Sequence, residues 1–237
     1  MSQLFDALES VGVILQIALL FLLLSGGLRK YPLLFVYSIA QLLADMAEVA
    51  ARQQFGTKAA QYVLLYWTDE ILLDLLLFLM VIAFTYQALE GNPLRGKAGK
   101  FLGAVVVLAV VAPFVVYYHR TLFTTSWFNG TSQWLNFSGA IMNLGLWTAL
   151  LANKKRDPQL LVVSIGLGLA VTGAAMAFGL RQFMTRGGLR QFANLVGVLT
   201  HLIGLCVWCW AFRPAWLRDG PKRRPKEPGP LATTSGY

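Results

Sequence analysis

Seven long apolar segments are the feature that most constrains the fold of this chain. Their lengths suit helices that cross a hydrocarbon core about 30 Å thick, which takes roughly 20 residues each. Of the 237 residues, 13% are charged and 57% are hydrophobic, whereas about a quarter of the residues in a soluble domain are charged. The sequence predicts an all-α, polytopic bundle of seven transmembrane helices over residues 11–28, 32–51, 61–89, 101–118, 133–152, 159–180 and 192–212.

The connections between these segments contain residues that end or begin helices. Pro32 is tolerated in the first turn of the second helix, and Pro93 follows the third. A basic cluster ending in Pro158 separates the fifth helix from the sixth, and Gly187 and Gly188 precede the seventh. Short segments of alternating polar and apolar residues, which are typical of membrane β-barrels, are absent from the sequence. Both observations favour the helical bundle.

The distribution of lysine and arginine predicts the orientation of the bundle. Connections rich in these residues stay on the cytoplasmic side of a membrane, and most of the 20 occur on alternate connections and in the C-terminal tail. We therefore expect the N-terminus outside and the C-terminus in the cytoplasm. The tail, residues 213–237, is rich in proline and basic residues, so we expect it to be disordered and to contact anionic lipid rather than nucleic acid.

Five carboxylates interrupt the second and third apolar segments. They are Asp45, Glu48, Asp69, Glu70 and Asp74. An ionisable group inside a membrane helix costs about 2.5–3.5 kcal/mol on insertion scales, so such groups usually face the interior of a bundle and serve a function. These positions therefore predict a functional site.

The predicted orientation places all five carboxylates in the outer half of the bundle. Spacings of three and four residues put Asp45 and Glu48 on one helical stripe, and Glu70 and Asp74 on another. Polar residues early in the fifth and seventh helices share that depth. We therefore predict an outward-facing acidic cup that binds a ligand or an ion, formed by Asp45, Glu48, Tyr66, Asp69, Glu70, Asp74, Asn136, Asn143 and His201.

A purely structural interpretation competes with this one. Asparagines in membrane helices commonly hydrogen-bond one helix to another, and glycines such as Gly139 and Gly166 allow helices to approach closely. Asn136 and Asn143 fit that role. The carboxylates fit it less well, because five acids against few intramembrane bases leave more negative charge than packing requires. A proton or a cation is therefore a natural partner for the cup.

Few side chains suit the familiar cofactors of membrane helices. The sequence has two histidines and two cysteines, too few for the ligand set of a zinc hydrolase, so we assign no metal site. A retinal Schiff base needs a lysine within a helix, and Lys58, at the mouth of the third helix, is the nearest. We therefore expect no covalently bound retinal, and the sequence identifies no other cofactor.

Two short motifs resemble those of rhomboid intramembrane proteases. The stretch from Asn136 to Ile141 is similar to the Gly-x-Ser-Gly motif of that family, with Ser138 as the nucleophile, and His201 to Gly204 is similar to its His-x-x-Gly motif. The resemblance implies an intramembrane serine protease with a Ser138–His201 dyad. The chain departs from the family pattern because Asn136 replaces the first glycine and no His-x-x-x-Asn occurs in an earlier helix.

A second resemblance covers nearly the whole chain. The run from Tyr66 to Glu70, the Gly-rich Ile165 to Gly168 and the aromatic exit from Trp208 to Phe212 resemble a set of uncharacterised seven-helix membrane proteins of acidobacteria. An aromatic-Trp-x-x-Glu segment tends to open the third helix in that set. The resemblance implies a bacterial inner membrane and no particular activity.

The absence of an evident inverted repeat and the apolar inner half of the helices favour binding over transport. We expect a non-catalytic sensor or binding protein, or an accessory subunit of a membrane complex, with the lipid bilayer and other membrane subunits as partners. A proton- or cation-coupled transporter and the rhomboid-like protease are the alternatives. The sequence does not identify the ligand.

Overall fold

A computed structural model describes residues 2–56, 59–90, 93, 95–117, 124–152, 157–183 and 187–213. This part of the chain contains seven α-helices and no strand, so the predicted all-α class and the seven helices are confirmed. All seven helices are long and apolar enough, by length and composition, to cross a membrane. They are α1 (Ser2–Leu22), α2 (Pro32–Phe55), α3 (Ala60–Ala88), α4 (Arg95–Val116), α5 (Thr125–Ala152), α6 (Pro158–Phe183) and α7 (Gly187–Ala211).

The helix bounds differ from the predicted ones mainly at the N-terminal ends. The polar start of α5, from Thr125, was expected to be a connection, yet it forms the first turns of the helix. Trp127 and Phe128 are buried there, so tertiary packing overrides the local polarity. At the other end of the chain, the predicted tail beyond Arg213 lies outside the described residues, as does Lys58.

Six of the helices form a ring. Along the ring, α1 packs on α2, α2 on α3, α3 on α5, α5 on α6, α6 on α7, and α7 back on α1. Helix α3 also contacts α6 across the ring, whereas α4 packs on the outside against α3 and α5. A common space can therefore lie between α1, α2, α3, α6 and α7. Helices α4 and α5 do not border it.

One end of the bundle holds the main apolar core. It comprises residues near the end of α1, the start of α2, the end of α3, the start of α6 and the end of α7. Tyr31, between α1 and α2, is fully buried, with its ring 5.7 Å from Phe84 and 5.4 Å from Phe212. Burial, and to a lesser extent the charge of Asp157, raise the pKa of the Tyr31 phenol, so its hydroxyl stays neutral in the core.

Helices α6 and α7 approach each other closely at Gly166. A Cβ atom at this position would lie 2.6 Å from Cδ1 of Trp208 and 3.1 Å from the carbonyl oxygen of Gly204. The fully buried Trp208 also donates from Nε1 to the carbonyl oxygen of Val163 over 3.0 Å. The absence of a side chain at Gly166 therefore lets the indole ring enter the contact between the two helices.

Replacing Gly166 should loosen this contact. We expect Gly166→Ala to lower the free energy of unfolding by about 1–3 kcal/mol, because the added methyl group overpacks the Trp208 ring. The measurement is the melting temperature of the purified protein in detergent.

Gly145→Ala is the matched control, since nothing lies within 4 Å of a Cβ atom at Gly145. This variant should melt at the same temperature as the parent or higher, because alanine favours a helix by up to about 1 kcal/mol relative to glycine. Equal melting temperatures for the two variants would contradict the role of Gly166.

Candidate functional site: a polar cavity among five helices

A cavity of about 730 Å³ lies between α1, α2, α3, α6 and α7. Its lining comes from the part of each helix that lies away from the apolar core, near the end of the bundle where α2 ends and α3 begins. The volume falls within the range of small-molecule sites, roughly 300–1,000 Å³. The polar and charged side chains in the lining are Glu9, Gln16, Tyr37, Gln41, Asp45, Glu48, Arg52, Gln53, Glu70, Asp74, Asn194 and His201.

The structure brings five of the predicted site residues to this cavity. Asp45 and Glu48 line it from α2, Glu70 and Asp74 from α3, and His201 from α7. Helical spacing accounts for this outcome, because residues three or four positions apart share one face of a helix.

The other four predicted residues do not line the cavity. Asn136 and Asn143 belong to α5, which packs behind α3 and α6 rather than facing the cavity. Asp69 is next to Glu70 in sequence but about 100° around the helix. Tyr66 shares a stripe with Glu70, yet its ring packs edge-on against Trp67 with centroids 5.3 Å apart.

Asp45 is held by two side-chain amides. Gln16 on α1 donates from Nε2 to Oδ2 of Asp45 over 3.0 Å, and Gln41, one turn earlier on α2, donates to Oδ1 over 3.1 Å. The Tyr37 hydroxyl donates in turn to Oε1 of Gln41 over 3.2 Å. Both carboxylate oxygens therefore have donors, while these donors add no positive charge.

Asp74 is a buried carboxyl group, 6% exposed, at the contact between α3 and α5. The Ser132 hydroxyl donates a short hydrogen bond to its Oδ2. Asn136 donates from Nδ2 to the carbonyl oxygen of Ser132 over 3.0 Å. Asn136 thus supports the serine that contacts Asp74, which places it behind the cavity wall.

Glu48 binds a cationic side chain and a tyrosine hydroxyl. Its Oε1 accepts from Nη2 of Arg52 over 2.9 Å and from the Tyr62 hydroxyl over 2.7 Å. The tyrosine belongs to α3, so this cluster joins the end of α2 to the start of α3. Arg52 follows Glu48 by four residues, so the two side chains share one face of α2 and form an ion pair there.

Asn143 packs against a glycine of α6. A Cβ atom at Gly168 would lie 2.7 Å from Nδ2 of Asn143, so the amide occupies space that any larger residue would take. This arrangement matches the structural interpretation of the asparagines.

Gln16 and Ser132 contact acids of the candidate site, and the sequence analysis missed both. Gln16 is a lone amide within the apolar run of α1, and Ser132 precedes the predicted start of the fifth helix. A single polar residue in an otherwise apolar membrane segment is a usable signal. For Ser132 the signal was hidden, because it is one of several polar residues at the start of α5.

His201 offers an acceptor or donor without a partner. Its Nε2 atom is buried and makes no hydrogen bond in the described structure. Ser138 does not line the cavity, and no hydrogen bond joins it to His201 among the described residues. In the described ranges, no three His, Cys, Asp or Glu side chains lie close enough to hold a metal ion.

The charges of the lining are strongly unbalanced. Glu9, Asp45, Glu48, Glu70 and Asp74 contribute carboxylates, while Arg52 supplies the lone guanidinium in the described lining and is bound to Glu48. Asp45, Glu70 and Asp74 line the same cavity as Tyr37, so their charges act on one shared space. Such a site attracts positive charge.

The fold and the cavity together define a class: an all-helical bundle with seven membrane-compatible helices and an acidic cavity at one end. No protein-family model, curated protein or solved structure matches the chain. The function is therefore argued from the cavity itself.

The amide network around Asp45 gives a direct test of the site. Gln16→Leu removes the donor to Oδ2 of Asp45, and hydrogen bonds to charged groups contribute about 1.5–3 kcal/mol. We expect unfolding in detergent to become easier by that amount, measured by thermal or denaturant melting.

A double-mutant cycle with Asp45→Asn separates the hydrogen bond from packing. The effect of Gln16→Leu should shrink when position 45 carries no charge. The same loss of stability in both backgrounds would show that Gln16 stabilises the protein through packing contacts alone.

Proposed function

We propose that this chain is a multi-pass membrane protein that binds a small cationic ligand in its acidic cavity and acts without catalysis, as a sensor or as the binding subunit of a membrane complex. The observation that carries the proposal is the excess of carboxylates around one cavity. Asp45, Glu70 and Asp74 line it. Asp45 accepts hydrogen bonds from the neutral side chains of Gln16 and Gln41, and Asp74 accepts one from Ser132.

Desolvation makes these carboxylates effective for recognition. A charge near low-dielectric walls interacts more strongly with an ion than the same charge in water. A cation that enters the cavity gains from several carboxylates at once, and it relieves the repulsion between them. Binding is therefore coupled to the arrangement of α2 and α3, which carry the acids.

The opposite end of the bundle supports binding rather than passage. The apolar core contains Tyr31, Phe84, Trp208 and Phe212, all with at most 3% of their surface exposed. An ion would have to cross this core to reach the other side, which is costly without polar partners. A ligand can thus be captured from one side and change the relative positions of the helices that hold it.

The ring contact between Tyr37 and Trp208 offers a route for such a change. The Tyr37 hydroxyl belongs to the polar network of the cavity, whereas its ring lies edge-on to Trp208 at a centroid distance of 5.9 Å. Trp208 is in turn bonded to α6. Movement of α2 on binding would therefore reach α6 and α7 at the other end, where a partner subunit could respond.

For the placement in a cell we propose a bacterial inner membrane, with the N-terminus and the cavity outside. Arg29 and Lys30 lie at the end of the bundle opposite the cavity, and Lys30 forms an ion pair with Asp157 at 2.6 Å. Basic residues at this end of the bundle support its proposed assignment to the cytoplasmic side. The basic tail, beyond the described residues, would then contact anionic lipid at the inner surface.

Neutralising one acid should weaken cation binding. We expect methylammonium to raise the melting temperature of the purified protein, since a ligand at 100 times its Kd stabilises by about 2.7 kcal/mol. Glu70→Gln should weaken the apparent affinity about tenfold. The readout is the melting temperature against cation concentration at constant ionic strength.

Glu90→Gln is the control for this experiment. Glu90 is exposed after the end of α3 and does not line the cavity, so its variant should respond like the parent. An unchanged response in Glu70→Gln would contradict the cavity as the binding site. Gradient-driven proton uptake by reconstituted vesicles, lost in Asp74→Asn, would instead favour transport.

The orientation can be measured with reporter fusions. Alkaline phosphatase inserted between α2 and α3 should be active because that connection is proposed to lie outside, whereas green fluorescent protein at the C-terminus should fluoresce. A fluorescent insertion between α2 and α3 with an active phosphatase at the C-terminus would reverse the proposed topology.

A further inference from the structure

Helices α1 and α2 both contribute to one side of the cavity. Gln16 and Asp45 join the two helices through a hydrogen bond of 3.0 Å. On the side of that bond away from the apolar core, residues of both helices line the cavity, among them Leu8 and Val13 of α1 and Met46 and Gln53 of α2. Both helices therefore border the cavity beyond this bond.

Exposed apolar side chains form the rim on α2. Met46 is 63% exposed and Val49 is 47% exposed, yet both also line the cavity. Met46 lies about two and a half helical turns before the end of α2 at Phe55. Its exposure is thus lateral, at a depth where a membrane helix contacts lipid chains.

The part of the lining that α6 contributes is apolar and made of alanines. Ala170, Ala174 and Ala177 of α6 line the cavity. Helix α7 adds Gly197, Val198 and Leu202 together with the polar Asn194 and His201. The cavity therefore combines an apolar surface on α6 with the acids of α2 and α3, and its volume of about 730 Å³ is far more than a single metal ion needs.

Unpartnered acceptors provide an independent indication of a ligand. Gln16 lines the cavity, is 2% exposed, and its Oε1 accepts no hydrogen bond in the described structure. The buried Nε2 of His201, on α7, also has no partner in the described structure. A buried acceptor left without a donor costs about 1–3 kcal/mol, so a ligand with N–H groups would complete the site.

We propose that the ligand is a primary or secondary ammonium group carried on a single apolar chain, and that it enters laterally from the bilayer between α1 and α2. The ammonium group binds among Asp45, Glu70 and Gln16, and the chain packs on the alanines of α6 and extends past Met46 and Val49. This inference rests on the proposed function and adds the class of ligand and its route.

The first test uses n-alkylamines of increasing length on the protein in lipid nanodiscs, with empty nanodiscs subtracting partition into lipid. We expect the Kd to fall at least about 100-fold from methylamine to octylamine, since each buried methylene adds to the binding. Octyltrimethylammonium, which has no N–H group, should bind at least tenfold more weakly than octylamine, and octanol should not bind.

A second test blocks the proposed lateral entrance with a larger side chain. Val49→Trp should slow the association of octylamine at least tenfold and leave methylamine unaffected, because the small cation can enter from the water-facing end. Leu43→Trp is the matched control, since Leu43 is exposed on the same helix but does not line the cavity.

The outcomes separate this inference from the proposed function. Equal affinity for methylamine and octylamine, lost in Glu70→Gln, would overturn the amphipathic ligand and its lateral route while keeping a cation site. Equal binding of octylamine and octyltrimethylammonium would overturn the N–H recognition. If neither an amine nor an inorganic cation binds, the proposed function fails as well.

Discussion

Placing several carboxylates within apolar, membrane-compatible helices is the constraint on which the rest of this structure depends. A buried carboxylate is tolerated only when donors surround it, and the chain supplies them from different helices. Gln16 of α1 and Gln41 of α2 hold Asp45, while Ser132 of α5 holds Asp74. These contacts decide which faces of α1, α2, α3 and α5 meet, and they leave the acids facing a shared space.

The apolar end makes that open space possible. Trp208 enters the close contact of α6 and α7 that Gly166 allows, and Tyr31 packs between Phe84 and Phe212. Because packing of this kind fixes the helices at one end, they can diverge at the other without losing the bundle. The residues that stabilise the bundle and the residues proposed to bind a ligand therefore lie at opposite ends of the same helices. The contact between Tyr37 and Trp208 joins the two groups.

The candidate site was predictable only in part. Helical spacing identified Asp45, Glu70 and Asp74, because residues on one stripe face the same way. It included Tyr66 on the same grounds, yet that ring packs against Trp67. Gln16 was missed because a single amide gives no stripe. The position of α5 behind α3 and α6, which excludes Asn136 and Asn143 from the cavity, depends on the order of the ring and not on any one helix.

The sequence by itself determined seven helices, their apolar character and the stripes of acids on α2 and α3, since these follow from segment length and from the 3.6-residue period. The tertiary structure alone decided that α1 contributes Gln16 to Asp45, that α6 supplies three alanines to the cavity lining, and that Met46 and Val49 of α2 are exposed yet also line the cavity. The physical reason is that periodicity fixes the direction of a side chain on its own helix, whereas its partners depend on the packing between helices distant in sequence.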